Sequence, residues 1–246
     1  MIRALLSTVS FVIATIIGSL LAVMCLPIDR TGDLVLALAR LWSRVILTVP
    51  GVKLEVTMRA RLDPARPYVF MANHASMIDI WAVCVTIPAS FRFIAKKQLA
   101  RIPLFGWAMS AGRFIFIDRQ NPLAARRSMD EAARRIRSGQ SVVIFPEGTR
   151  TRTGRLLPFK KGGFHLAIDS GAAIVPVAIR GSRTAMPRGS PLIRAGTVAV
   201  EVDEPIPTTG LTTADRDALM ERVRGRIATM LGEPIEAPGA AAQELQ

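Results

Sequence analysis

The sequence predicts an α/β fold, a mixed sheet flanked by helices and preceded by an N-terminal membrane-associated helical segment. Three observations carry this. Short runs rich in β-branched and aromatic residues recur between residues 51 and 232, helical windows fall between several of them, and a long uncharged stretch precedes both. The strand-like runs are 52–57, which alternates, then 68–71, 91–95, 114–117, 142–145, 174–179 and 197–202. Residues 122–137 read as a helix with Asn121 as N-cap, Pro122 in the first turn and Gly139 beyond its end. Residues 163–170 and 215–231 are helical by composition and spacing. Pro176, inside the 174–179 run, marks an edge strand or a bulge.

The N-terminal segment comes in two parts. Residues 4–28 contain no Asp, Glu, Lys or Arg, and a helix of that length runs roughly 37 Å, enough to cross a ~30 Å hydrocarbon core. This predicts a membrane-embedded helix, spanning or re-entrant. A cleaved signal peptide would need a small-x-small site ending the run cleanly. Residues 34–49 follow, a largely apolar stretch interrupted by Arg40 and Arg44, which share a helical face and suit an interfacial helix whose arginines reach toward lipid phosphates. The alternative is an amphipathic helix packed on a soluble domain. Pro50-Gly51 breaks the helix. The division is therefore 1–50 for the helices, 51–232 for the α/β domain and 233–246 for a flexible tail.

Composition narrows the function. The chain carries +13 at pH 7 with 50% apolar residues and a mean hydropathy of +0.33. Disorder is excluded by that apolar content. Two cysteines, Cys25 and Cys84, exclude a disulfide scaffold, and two histidines leave too few ligands for zinc clusters. Charge and apolarity together point to an anionic membrane surface. One tyrosine and no interleaving of aromatic with basic residues argue against nucleic acid as partner. Residues 113–161 hold twelve Arg or Lys against four Asp or Glu, many of them near turns, which implies an anionic ligand.

Two segments carry the chemistry. In Asn73-His74-x4-Asp79 the histidine and aspartate can meet only if His74 lies on the turn before a helix and Asp79 inside it. The carboxylate then holds one imidazole nitrogen and leaves the other to accept a proton, a base and its orienter without a protein nucleophile. The nucleophile is then a hydroxyl of the substrate, since Ser76 is poorly spaced for attack. The alternative is a capping histidine beside a surface aspartate. In Phe145-Pro-Glu-Gly-Thr-Arg150 a strand runs into a turn where Gly148 permits close backbone approach, Thr149 offers a hydroxyl and Arg150 can grip phosphate. Glu147 is either a partner of the arginines or a ligand for substrate hydroxyls. No Gly-x4-Gly-Lys-Ser/Thr string is present, so this is not a nucleotide P-loop. Phe116-Ile-Asp-Arg119 is a strand exit, and Lys160-Lys161 precede a diglycine that could open a helix toward an anion.

Asn73-His74-x4-Asp79, Phe116-Ile-Asp-Arg119, Phe145-Pro-Glu-Gly-Thr-Arg150 and Val175-Pro-Val177 resemble the four motifs of the glycerolipid acyltransferase family in their order. The family usually has a glycine six residues before the arginine of its second block; here Arg113 stands there and the glycine is Gly112, which predicts altered backbone geometry. The resemblance implies His74 and Asp79 as catalytic residues. It implies Arg119, Glu147, Gly148, Thr149 and Arg150 as the substrate-binding set, to which the anion-facing reading of the diglycine segment adds Lys160. It also implies transfer of a fatty acyl group from acyl-coenzyme A or acyl carrier protein to the sn-2 hydroxyl of lysophosphatidic acid, giving phosphatidic acid without a cofactor or metal. Another acceptor, such as lyso-ornithine lipid or a lysophospholipid, is the alternative within the class; a hydrolase and a non-catalytic lipid-binding protein are those outside it. The expected setting is the cytoplasmic face of the inner membrane, where acyl thioesters occur, with anionic lipids, the lysolipid and an acidic carrier protein as partners.

Overall fold

The computed structural model describes residues 2–118 and 120–234, with the backbone alone for 2–7. Its strands are β1 (Val52–Met58), β2 (Val69–Ala72), β3 (Phe91–Lys96), β4 (Ile115–Ile117), β5 (Ser141–Ile144), β6 (Ile174–Arg180) and β7 (Gly196–Val202). The helices are α1 (Ile2–Met24), α2 (Asp33–Thr48), α3 (Ile78–Thr86), α4 (Phe105–Ala111), α5 (Pro122–Arg137), α6 (Gly162–Ser170), α7 (Ser182–Ala185) and α8 (Arg216–Leu231). The strands form one sheet in the order β1-β7-β6-β2-β5-β3-β4. Every neighbouring pair is parallel except β6 with β7, so the sheet is mixed, as the alternation of elements implies.

Side-chain alternation along the strands builds two apolar layers. On β2, Phe70 and Ala72 face a layer completed by α2 and α3, while Val69 and Met71 face one completed by α5, α6 and α8. All seven expected strands form within a residue or two of their predicted ends. On α5 the Asn121 side chain accepts from Ala124 N–H at 3.0 Å, as an N-cap should. Pro176 needs a correction in part. β6 is an inner strand, not an edge. The register with the segment after β7 shifts by one residue between the pair Val177–Val202 and the bridge Ile174–Ile206, so a bulge lies opposite Pro176.

The N-terminal helices pack onto the sheet domain. Leu36, Ile46 and Leu47 of α2 are buried with Phe70 and Val175 in the same core, and Phe11 and Ala14 of α1 pack against it. Asp29 ties the linker by accepting from the backbone of Gly32 and Val35 at 2.8 and 2.9 Å. Arg92, fully buried on β3, reaches back to Thr31 O at 2.6 Å and Asp33 Oδ1 at 3.0 Å. Arg40, expected to face lipid phosphates, instead turns inward. Its guanidinium donates to Ile87 O and Ala89 O at 2.8 and 2.7 Å, satisfying carbonyls beyond the C-terminal end of α3. Arg44 is exposed, as expected. Among the described residues no helix is long and apolar enough to cross a membrane.

Candidate active site

β2 and β5 run parallel side by side, so the turns that follow them meet at one end of the sheet. His74 lies on the turn after β2, and Asp79 is the second residue of α3. Their side chains meet, His74 Nδ1 to Asp79 Oδ2 at 2.9 Å. The same oxygen accepts the backbone N–H groups of Ala75 and Ser76, each at 2.7 Å. Asp79 is fully buried, and its Oδ1 has no hydrogen-bond partner among the described residues. A carboxylate can only accept, so Nδ1 is the donor of this bond, and in the neutral imidazole that tautomer leaves the Nε2 lone pair free. Phe145 stacks on the imidazole with ring centroids 4.1 Å apart and fixes its plane. Ser76 is buried, donates from its hydroxyl to Met186 O at 2.7 Å and accepts from Ile78 N–H, which occupies it as a structural group.

Asn73 extends the sheet with its side chain: Oδ1 accepts from Ile179 N–H at 2.7 Å, and Nδ2 donates to Ile179 O at 3.0 Å. The histidine turn is thereby pinned to β6 on one side. On the other it is held by the turn after β5. Glu147 Oε1 accepts from His74 N–H at 2.5 Å, and Thr151 N–H donates to His74 O at 2.8 Å. Glu147 Oε2 accepts from Leu157 N–H at 3.0 Å. This corrects the expectation for Glu147, which meets neither an arginine nor the cavity. It is buried with both oxygens on backbone amides. Burial pushes its carboxyl up to about 8, against the two amide bonds and with help from the Asp79 and Glu233 charges.

Gly148, at φ 73, turns the chain so that Gly148, Thr149 and Arg150 join His74 on the wall of a cavity of ≈ 440 Å³. Its deeper wall is apolar and comes largely from the N-terminal helices: Gly18 and Ala22 of α1, Ala39 and Trp42 of α2, with Trp81 of α3 and Phe93 of β3. Arg188, beyond α7, also lines the wall and donates to Arg150 O at 2.6 Å. Sequence reasoning missed it; Met186-Pro-Arg-Gly189 reads as an ordinary turn, and only the fold carries it to the site. Lys160 does not join the site. It is exposed, away from the lining, and its backbone N–H donates to Pro146 O. Lys161, just before α6, faces Asp217 Oδ1 at 3.9 Å. Arg119 lies outside the described residues.

A family model described as Acyltransferase matches residues 53–180, more than half of the chain, and brackets every motif above. The chain belongs to that family. It is 40% identical over 172 residues to human 1-acyl-sn-glycerol-3-phosphate acyltransferase beta, covering 70% of this chain and 62% of that protein. It is 34% identical over 204 residues to the 1-acyl-sn-glycerol-3-phosphate acyltransferase of Cocos nucifera, covering 81% of this chain and 65% of that protein. The chain thus spans less than two thirds of the length of these relatives. The crystal structure of the 1-acyl-sn-glycerophosphate (LPA) acyltransferase PlsC from Thermotoga maritima superposes with a TM-score of 0.78 at 25% identity, over 93% of this chain and 95% of that one. The backbone is unusual where the chain departs from the usual sequence of its family. Arg113 sits at φ 59, in the left-handed region, while Gly112 has an ordinary φ of −72. An arginine therefore bears the strain of a conformation that favours glycine.

Proposed function

We propose that this chain transfers a fatty acyl group from an acyl thioester to the free sn-2 hydroxyl of lysophosphatidic acid, forming phosphatidic acid. One observation carries the reading: an oriented imidazole, His74 on Asp79, at the polar end of a deep apolar cavity, with Ser76 of the same turn occupied elsewhere. His74 Nε2 takes the proton of the lysolipid hydroxyl as its oxygen attacks the thioester carbonyl. The carbon–sulfur bond of the tetrahedral intermediate then breaks, and the imidazolium returns the proton to the leaving thiolate. Asp79 stabilises the imidazolium, and general-base help of this kind is worth about 10²–10⁴-fold.

Arg150 and Arg188, together with Arg119 from its place in the motif, hold the acceptor phosphate. The acyl chain lies in the apolar cavity between α1, α2 and the sheet. The donor is acyl-coenzyme A or acyl carrier protein. The exposed apolar face of α1, including Val12, Ile13, Ile16 and Leu20, and the exposed Trp107 of α4 support seating on an anionic bilayer, on its cytoplasmic face. The test is acyl transfer by purified protein in mixed micelles, with a labelled acyl thioester and either lysophosphatidic acid or lyso-ornithine lipid, beside His74→Ala. Phosphatidic acid formed only with intact His74 supports the proposal. Product from the other lipid alone overturns the acceptor, and transfer unaffected by His74→Ala overturns the mechanism.

A further inference from the structure

β1 is an edge of the sheet, and among the described residues no strand pairs with its outer side. Its inner side is fixed in parity by two backbone bonds to β7 and its flanks. Gly51 O accepts from Gly196 N–H, and Arg59 N–H donates to Val202 O. Odd-numbered residues therefore spend their backbone groups on β7, and the N–H and C=O groups of Val52, Leu54 and Val56 point outward. Residues 55–58 are all exposed, with Val56 at 48%. A long, unblocked strand of this kind is a template for pairing with another chain.

The sequence of the strand selects the partner. Val52-Lys53-Leu54-Glu55-Val56 is self-complementary when a second copy lies antiparallel, centred on Leu54. Leu54 then faces Leu54 of the second copy, and Val52 faces Val56, all as hydrogen-bonded pairs because their backbone groups are the outward ones. Lys53 faces Glu55 at non-hydrogen-bonded positions, where Cα atoms come within about 4.5 Å and side chains are closest. A slip of one residue would place inward backbone groups at the seam and separate the opposite charges.

We infer that β1 joins two copies of this chain through an isologous, antiparallel β1–β1 contact that continues the sheet across a two-fold axis. That axis stands perpendicular to the sheet, so both copies carry their α1–α2 layer on the same side.

The test is sedimentation of the full-length protein in density-matched detergent, on four variants: parent, Lys53→Glu, Glu55→Lys and the double exchange. Both side chains are exposed and remote from the cavity, so acyl transfer serves as the folding control. The expected result is a parent dimer, about tenfold weaker association in each single variant because two like-charge pairs form per dimer, and recovery in the double exchange. Val56→Pro, which removes an outward N–H without touching the bonds to β7, dissociates it as well. A parent that stays monomeric, or a dimer indifferent to the single exchanges or unrestored by the double, overturns the inference.

Discussion

Glu147 holds the backbone of His74: its Oε1 accepts the histidine N–H at 2.5 Å, 73 residues away in sequence. The glutamate of the third motif therefore acts on the base of the first through the chain, not through the ligand. Truncation to Ala removes acceptors from two buried amides, at about 1–3 kcal/mol each, and frees the turn to drift. Glu147→Ala is expected to lower the thermal midpoint and to cut kcat about 10²-fold, as misplacement of a catalytic group by about 1 Å does. Steady-state kinetics with varied lysolipid checks this, since a residue that only bound the acceptor would raise KM with little change in kcat.

The same carboxyl makes stability depend on pH. Its pKa in the fold, about 8, lies above the ordinary 4.5, so the folded state binds the extra proton. Its contribution is complete below about pH 4.5 and is lost as pH rises through about 8. Thermal midpoints followed across that window should fall with rising pH, and Glu147→Gln, which cannot titrate, should flatten the slope. An unchanged slope in that variant would assign the effect to other groups.

Asp79 has two tasks that substitutions can separate. Asp79→Asn keeps an oxygen for the amides of Ala75 and Ser76 but no longer secures the imidazole in its Nδ1–H form. It should lose about 10²–10⁴-fold in kcat, like His74→Ala, with a modest change in thermal midpoint. Asp79→Ala should lose the midpoint too, because both amides become unpaired in a buried turn. Activity and calorimetry on the three variants together distinguish these outcomes.

Arg113→Gly should stabilise the fold. An L-residue in the left-handed region costs roughly 1–2 kcal/mol, offset in part by the greater unfolded freedom of glycine. The carbonyl of residue 113, which accepts from Arg135 Nη1 at 2.8 Å, is unaffected by the change. Chemical denaturation should move the midpoint upward at constant slope; a downward move would show that the arginine side chain contributes more than its backbone costs.

Gly18→Leu tests the cavity as the acyl site. A Cβ at Gly18 stands 3.9 Å from Trp42 Cδ1, which is ordinary contact, so the longer side chain extends into the cavity that both residues line. Each methylene denied burial costs about 0.8 kcal/mol. The kcat/KM for long-chain thioesters should fall about tenfold or more relative to medium-chain ones, a loss of two or so methylenes. Equal losses for both would place the acyl chain elsewhere.

Much of this architecture was legible in the sequence because its signals are local. Strand periodicity, the Asn121 cap and the break at Pro50-Gly51 act within a few residues. Helix geometry allows the His74–Asp79 meeting only with the histidine on the turn before the helix, and the structure has it so. What escaped depends on residues far apart. α4 is short, starts without a side-chain cap, and exists where Gly106 packs so close that a Cβ would lie 2.4 Å from Ala100 O. Arg40 looks like a lipid-facing arginine until the loop after α3 supplies its carbonyls. Glu147 among arginines suggests ion pairing, yet the fold buries it against two amides, and Arg188 reaches the site only through the course of the chain after α7.

The cavity wall has consequences for how the chain can be cut. Residues 53–180 hold every motif, yet Gly18, Ala22, Ala39 and Trp42, which lie before them, close the space beside His74. Buried Arg92 fastens the two portions at Thr31 and Asp33. A fragment starting at the motif-bearing segment would retain the dyad on an open trough, its apolar floor bare to solvent. Trimming the hydrophobic helices to gain solubility would therefore dismantle the compartment proposed to receive the acyl chain.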